Sequence, residues 1–162
     1  MIQRIDWDDK LLLHVPEIDE QHKKLIQITN KLYTAASGTQ EQYKKEMPDI
    51  IKELVDYTVY HFDSEERFME KYNYAGLAIH KLQHENFVEQ VKREIQKLSD
   101  SDRQDGLQLY VYLEKWVVNH IEKSDFSWAR VIRPALNTPQ KNTGFSARKL
   151  PAQTAAASQH AS

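Results

Sequence analysis

Residues 58–66 read Thr-Val-Tyr-His-Phe-Asp-Ser-Glu-Glu, and they place an imidazole and a carboxylate, those of His61 and Glu65, four residues apart. Side chains at positions i and i+4 of a helix lie on the same face. In a helix, these two groups would therefore point at a common partner. A single pair of this kind is common on protein surfaces, so the rest of the chain must show whether the partner is a metal ion.

The composition fits one domain. The 162 residues, of which 40% are apolar and 28% charged, are enough for a single continuous core. A net charge of -2 argues against nucleic-acid binding and against attraction to acidic membranes. The absence of cysteine excludes disulfides, thiolate metal sites and cysteine nucleophiles. Because no signal peptide and no run of about 20 apolar residues is present, a cytoplasmic location is expected.

Apolar residues recur at helical spacing in four long stretches of the chain. The predicted helices cover about residues 19–36, 40–71, 77–98, and 109–122 or beyond. Asp19 is expected to cap the first helix, and Pro48 is expected to kink the second helix or to separate a short helix before Met47. Because short connections join these helices, we predict an all-α, antiparallel up-down-up-down four-helix bundle.

Two flanking segments lack this periodicity. Residues 1–18 include Val15-Pro16, which favours an extended backbone, and they are predicted to form an N-terminal arm packed on the bundle. The bundle domain itself is predicted to span residues 19–132. Residues 137–162 contain basic but no acidic residues and no apolar period, so they are expected to form a flexible tail.

Histidines fall on the predicted buried faces of all four helices. They are His22, His61, His80, His84 and His120. A single buried histidine is more often a core residue bonded to a carbonyl than a ligand. However, several imidazoles in one core would each cost about 1–3 kcal/mol if left without a partner. One shared metal centre would satisfy all of them.

The spacing of the candidate ligands indicates how they would approach the metal. His80 and His84, like His61 and Glu65, are pairs at i and i+4 that suit a common ion. Five residues separate Asp125 from His120, which is about 140° around an ideal helix. This last pair requires a distorted helix or an approach of Asp125 from the edge of the site. Five imidazoles and two carboxylates exceed the needs of one tetrahedral zinc ion, and therefore favour two metals that share the carboxylates.

Taken together, these motifs resemble those of the hemerythrin family, in particular its bacterial members. The motifs are an arm with Trp7, IDEQHKKL at 18–25, HFDSEERFM at 61–69, HKLQH at 80–84 and HIEKSD at 120–125. The resemblance covers residues 5–132. It departs at His14, where many bacterial members have glycine and where we expect a surface residue. We exclude His160 as a ligand because it lies in the predicted tail.

The resemblance implies a non-haem di-iron centre. One iron would be bound by His80, His84 and His120, the other by His22 and His61, and both would be bridged by Glu65, Asp125 and a solvent-derived oxygen. The second iron would then have an open position for O2. The resemblance also places five apolar residues around that position, although ordinary core packing would explain them equally. They are Leu25, Phe62, Trp116, Val117 and Ile121.

The ligand types favour reversible O2 binding over O2 cleavage, because di-iron oxidases of helical bundles use Glu-rich sites. We therefore expect an O2 carrier, store or delivery protein that is not an enzyme. Three alternatives remain. They are an O2 or redox sensor acting through a partner, a di-iron oxidase or scavenger of peroxide or nitric oxide, and a bundle without metal. The sequence identifies no protein partner and leaves the oligomeric state open, with a monomer as one option.

Overall fold

The computed structural model describes residues 2–99 and 102–137. Its α-helices are α1 (Pro16–Ser37), α2 (Gln40–Lys71), α3 (Leu77–Lys97), α4 (Arg103–Asn119) and α5 (Phe126–Leu136). A π-helical segment, His120–Asp125, joins α4 to α5, and a short 3-10 helix, Asp9–Leu11, lies in the arm. Within these two ranges no β-strand forms. The prediction of a flexible tail falls, from residue 138 onward, outside the described residues.

The helices form the predicted four-helix bundle. Helix α1 packs against α2 and α4, and α3 contacts the same two helices from the other side. The π-helical segment and α5 continue the direction of α4, so that α4, the π-helical segment and α5 act as the fourth rod of the bundle. Each rod turns an apolar face to the common core. No helix in the described part of the chain is long and apolar enough to cross a membrane.

The first helix begins three residues earlier than predicted. Pro16 occupies its first turn, where a missing N–H breaks no helical bond, and Val15 precedes it in an extended conformation. Asp19 is therefore not the cap. Its buried carboxylate instead accepts hydrogen bonds from the backbone N–H groups of Leu13 at 2.7 Å and Val15 at 3.1 Å. The predicted boundary between residues 18 and 19 thus falls inside α1.

The second helix passes through Pro48 as one element, so the prediction of a separate short helix before Met47 is wrong. A proline inside a helix removes one backbone hydrogen bond. Met47 and Ile50, on either side of Pro48, are both buried in the same core. Their burial holds the two parts of α2 against one surface, which offsets the lost bond.

The segment before α1 is fastened to the bundle by polar contacts. Ile5 N donates to Asn30 Oδ1 at 2.9 Å, and Asn30 Nδ2 donates to the carbonyl of Ile5 at 2.8 Å. The hydroxyl of Tyr110 in α4 donates to the carbonyl of Gln3 at 2.5 Å. In addition, Leu11 is buried against the core. These contacts hold the segment against the sides of α1 and α4.

Candidate metal centre

All four rods contribute to a buried group of imidazoles and carboxylates. Its members are His22 from α1, His61 and Glu65 from α2, His80 and His84 from α3, and His120 and Asp125 from the π-helical segment. Glu65 and Asp125 have no exposed surface, and His120, the most exposed member, is 7% exposed. The structure thus brings all seven predicted residues together. Their role as iron ligands remains a prediction.

Three imidazoles converge on one point and form the three-histidine cluster, His80, His84 and His120. The Nε2 atom of His120 lies 3.1 Å from Nε2 of His84 and 3.3 Å from Nε2 of His80. Two nitrogens bound at right angles to one metal at about 2.1 Å would lie about 3.0 Å apart. Nε2 of His120 is therefore spaced from both other nitrogens like a neighbouring ligand of a single ion.

The other two imidazoles, His22 and His61, form the two-histidine cluster. Nε2 of His22 lies 3.3 Å from Glu65 Oε1 and 3.2 Å from Asp125 Oδ2. Nε2 of His61 lies 3.7 Å from the same Glu65 oxygen. His22, His61 and Glu65 together bring three potential metal-binding atoms within 4.8 Å of one another.

Each carboxylate directs one oxygen to each cluster. Glu65 Oε2 lies 3.2 Å from Nε2 of His84, whereas its Oε1 faces His22. Asp125 Oδ1 lies 3.2 Å from Nε2 of both His80 and His120, whereas its Oδ2 faces His22. Two carboxylates that each divide their oxygens in this way can bridge two metal ions.

The π-helical segment explains how Asp125 reaches His120. In this segment Phe126 N–H bonds to the carbonyl of Ile121, five residues earlier. Residues five apart therefore approach one face, and Asp125 Oδ1 comes within 3.2 Å of His120 Nε2. Of the two explanations left open by the spacing, the distorted helix is correct.

The polar atoms of this site fit a bound cation. In the described part of the chain, both ring nitrogens of His22 and all four carboxylate oxygens of Glu65 and Asp125 are buried without a hydrogen-bond partner. Each such atom costs about 1–3 kcal/mol. Imidazole nitrogen and carboxylate oxygen are ligands that iron accepts. Metal ions between the clusters would satisfy Nε2 of His22 and the four carboxylate oxygens.

The metal-free chain balances its buried charges with protons. Burial opposes protonation of His22 and His80, but the adjacent Asp125 and Glu65 carboxylates outweigh it and raise the pKa of each histidine to about 9. Burial acts to raise the carboxyl pKa values, yet the surrounding imidazoles hold the pKa of both Glu65 and Asp125 well below the ordinary range. Burial lowers the pKa of His61 to about 4. Without metal, the two carboxylates are thus offset by protons on His22 and His80, and a bound cation would take the place of these protons.

Two further residues touch the imidazoles from outside and were missed by the sequence analysis. Gln21 Oε1 lies 3.0 Å from Nδ1 of His61, and Glu66 Oε1 lies 2.9 Å from Nδ1 of His84. Gln21 precedes His22 and Glu66 follows Glu65 in the chain. Their position next to a predicted ligand was the sequence signal that could have identified them. A residue adjacent to a ligand on one helix can face an imidazole of the neighbouring helix.

The five residues predicted to line the O2 position are at least half-buried. The ring of Phe62 stacks on that of His84 at 3.7 Å, and Trp116 stacks on His120 at 4.2 Å. Both aromatic rings therefore lie against the three-histidine cluster. Leu25, Val117 and Ile121 have exposed fractions of 2% or less. That these residues form the wall of an O2 pocket remains a prediction.

A family model described as the hemerythrin HHE cation binding domain matches residues 13–132. The chain belongs to the hemerythrin family. The resemblance drawn from the sequence is thus confirmed, and with it the cofactor type, since hemerythrins hold two iron ions and the buried cluster can hold metal. The family assignment also makes this a di-iron domain of the O2-binding type.

Individual hemerythrins are similar over most of their length. A protein named bacteriohemerythrin from Stenotrophomonas maltophilia is 33% identical, over 81% of this chain and 83% of the relative. Another bacteriohemerythrin, from Clostridium acetobutylicum, is 34% identical over 74% of this chain and 94% of its own. A hemerythrin-like protein from Naegleria gruberi is 30% identical over 78% of this chain and 92% of its own.

Proposed function

We propose that this chain binds O2 reversibly at two iron ions and serves as an O2 carrier, store or delivery protein, without enzymatic turnover. The observation that carries this proposal is the division of the buried carboxylates. Glu65 and Asp125 each direct one oxygen to the three-histidine cluster and the other to the two-histidine cluster. Such a division provides two adjacent metal positions within one site.

The two positions differ in the number of donor atoms. We assign His80, His84 and His120 to one iron, His22 and His61 to the other, and Glu65 and Asp125 to both. With one oxygen from each carboxylate, the first position has five protein donors and the second has four. The second position therefore has more room for an exogenous ligand. The two irons of the site, one at each position, would each supply one electron when O2 binds and regain it when O2 is released.

The protein surroundings favour release of O2 over its cleavage. Neutral imidazoles outnumber carboxylates in the site, whereas di-iron oxidases use anionic oxygens to support high-valent iron. Leu25, Val117 and Ile121 are buried apolar residues that would keep water from the bound ligand. In addition, Phe62 stacked on His84 restricts rotation of that imidazole.

Optical spectra recorded through repeated cycles of argon and O2, with iron counted, test this proposal. We expect two irons per chain and a visible band that appears with O2 and disappears under argon in each cycle. His61→Ala should abolish the band, whereas His14→Ala, which changes an exposed histidine, should leave it unchanged.

Three results would contradict the proposal. The first is an iron content far below two per chain. The second is irreversible bleaching during the first cycle, which would exclude a carrier. The third is sustained O2 consumption with an added reductant that is lost in His61→Ala, which would indicate an enzyme instead.

A further inference from the structure

The two histidine clusters differ in the groups that contact them from outside. On the two-histidine side, His61 Nδ1 faces the side-chain oxygen of Gln21 at 3.0 Å. Gln21 is itself 5% exposed, and its Nε2 donates to the hydroxyl of Tyr60 at 3.5 Å. Because an amide oxygen only accepts, the proton of His61 lies on Nδ1 and the lone pair of Nε2 points into the site.

On the three-histidine side, the corresponding contact is to a carboxylate. His84 Nδ1 lies 2.9 Å from Glu66 Oε1, and the other oxygen of Glu66 lies 3.6 Å from Nζ of Lys81. A hydrogen bond to a carboxylate is stronger than one to an amide, and it draws the proton away from the ring. The Nε2 atom of His84 thereby becomes a stronger electron donor to a metal.

In the described part of the chain, no carboxylate contacts the outer Nδ1 atoms of the two-histidine cluster. Nδ1 of His22 has no hydrogen-bond partner within residues 2–99 and 102–137. The neutral amide of Gln21 is therefore the hydrogen-bonding group that this structure places behind the imidazoles of that cluster. Both Gln21 and Glu66 have side chains of the same length, so the two contacts differ in charge and not in reach.

We propose that Gln21 and Glu66 are positioning residues that give the two iron positions unequal donor strength, with the neutral partner on the side with fewer ligands. This inference rests on the proposed ligation of iron by His61 and His84. An anionic partner stabilises ferric iron, because it increases the donation from the imidazole. A neutral partner at His61 therefore protects the reduced form at the position where O2 would bind.

Charge-swapped variants of matched shape test this inference. The midpoint potential of the two-iron chain is measured without O2, by anaerobic titration with dithionite and ferricyanide. Gln21→Glu should lower the potential and Glu66→Gln should raise it. A change of about tenfold in the equilibrium constant for loss of one electron corresponds to about 59 mV. A merely structural role would not produce shifts of opposite sign.

The chain provides matched controls for these charges. Gln27 in α1 and Glu70 in α2 are both exposed. The variants Gln27→Glu and Glu70→Gln carry the same charge changes and should leave the potential unchanged. The double variant Gln21→Glu with Glu66→Gln should return the potential towards that of the unchanged chain. Shifts of equal sign, or shifts no larger than in the controls, would overturn the inference.

A second measurement keeps the inference testable if a variant binds iron poorly. Nitrogen-15 NMR of the zinc-loaded chain reports which ring nitrogen carries the proton. We expect Nδ1–H at His61 and at His84, and loss of the protected His61 Nδ1–H signal in Gln21→Ala. A proton on Nε2 of His61 in the unchanged chain would overturn the inference. Neither measurement uses O2, so failure here is distinct from failure of reversible O2 binding.

Discussion

The two halves of the bundle interior differ in the polarity of their buried side chains. Towards the α1–α2 connection, the core includes aliphatic side chains that are at most 1% exposed, namely Ile28, Leu32, Leu54, Leu109 and Leu113. About two to three turns away along the same helices, the interior holds the imidazoles and carboxylates of the metal site. Burial stabilises the aliphatic half directly, at about 25 cal/mol per Å² of apolar surface. The ligand half costs free energy unless a cation is bound, so its stability is conditional.

Removal of iron should affect the ligand half most strongly. We expect the free energy of unfolding to fall by about 4 kcal/mol or more, because a ligand present at a thousand times its dissociation constant contributes about that amount. Chemical denaturation of iron-loaded and chelator-treated protein measures the difference. Addition of Fe²⁺ under argon should restore the original value. If the denaturation midpoint is the same with and without iron, the stability of the ligand half does not depend on a bound cation.

Leu113→Ala should weaken the aliphatic half alone. Leu113 has no exposed surface, and a cavity at such a position costs about 2–5 kcal/mol. We expect the same loss in iron-loaded and iron-free protein, with two irons retained per chain. Leu113→Met, which preserves volume, should cost less than about 1.5 kcal/mol. Loss of iron in Leu113→Ala would mean that the two halves are coupled.

The stability of the iron-free protein should depend on pH between 6.5 and about 9, whereas that of the iron-loaded protein should not. In the iron-free chain the pKa values of His22 and His80 rise from 6.5 to about 9. The resulting stabilisation is fully present below pH 6.5 and is lost as the pH rises through about 9. Because one pKa unit corresponds to about 1.4 kcal/mol, we expect the iron-free protein to lose about 3 kcal/mol or more over this interval. Denaturation series at several pH values measure it.

With iron bound, the ligands are already deprotonated, so the stability should not fall over the same interval. If the loaded protein instead follows the iron-free curve, the imidazoles do not hold metal.

His14→Gly should have the smallest effect, because it lies outside both halves of the core. His14 is exposed and has a φ angle of 58°, in the left-handed region that glycine adopts without strain. The change should stabilise the protein by up to about 1 kcal/mol. His14→Ala, which keeps a Cβ atom, should give no gain. A lower melting temperature for His14→Gly than for His14→Ala would show that this strain is not present.

Helical periodicity was sufficient to locate the four rods of the bundle, but not the start of α1 or the effect of Pro48 in α2. The predicted limits of α2 and α3 agree with the structure within one residue. In long amphipathic helices the apolar residues recur at the helical period, and the recurrence stops where the helix ends. The start of α1 was misplaced because an Asp side chain can either cap a helix or accept hydrogen bonds from a neighbouring segment. Only the tertiary structure shows that Asp19 accepts hydrogen bonds from the arm. Of the two alternatives predicted at Pro48, the separate short helix does not form, because burial on both sides of the proline outweighs a local penalty.

The candidate site was predictable where its residues follow the helical repeat. The spacing of four residues between His80 and His84 was sufficient to predict that both lie on one face of α3. The relation of His120 to Asp125 could not be derived, because a change to π-helical hydrogen bonding leaves no trace in the apolar pattern. Gln21 and Glu66 were missed because a polar residue beside a ligand is indistinguishable in sequence from a solvated one.

The central claim is that the ligand half holds two irons shared by Glu65 and Asp125. Anomalous diffraction at the iron absorption edge, from crystals of the iron-loaded chain, tests it most directly. We predict two peaks in the interior, one bonded to Nε2 of the three-histidine cluster and one bonded to Nε2 of the two-histidine cluster. A single peak, or peaks confined to the surface with the two carboxylates unbound, would contradict the claim.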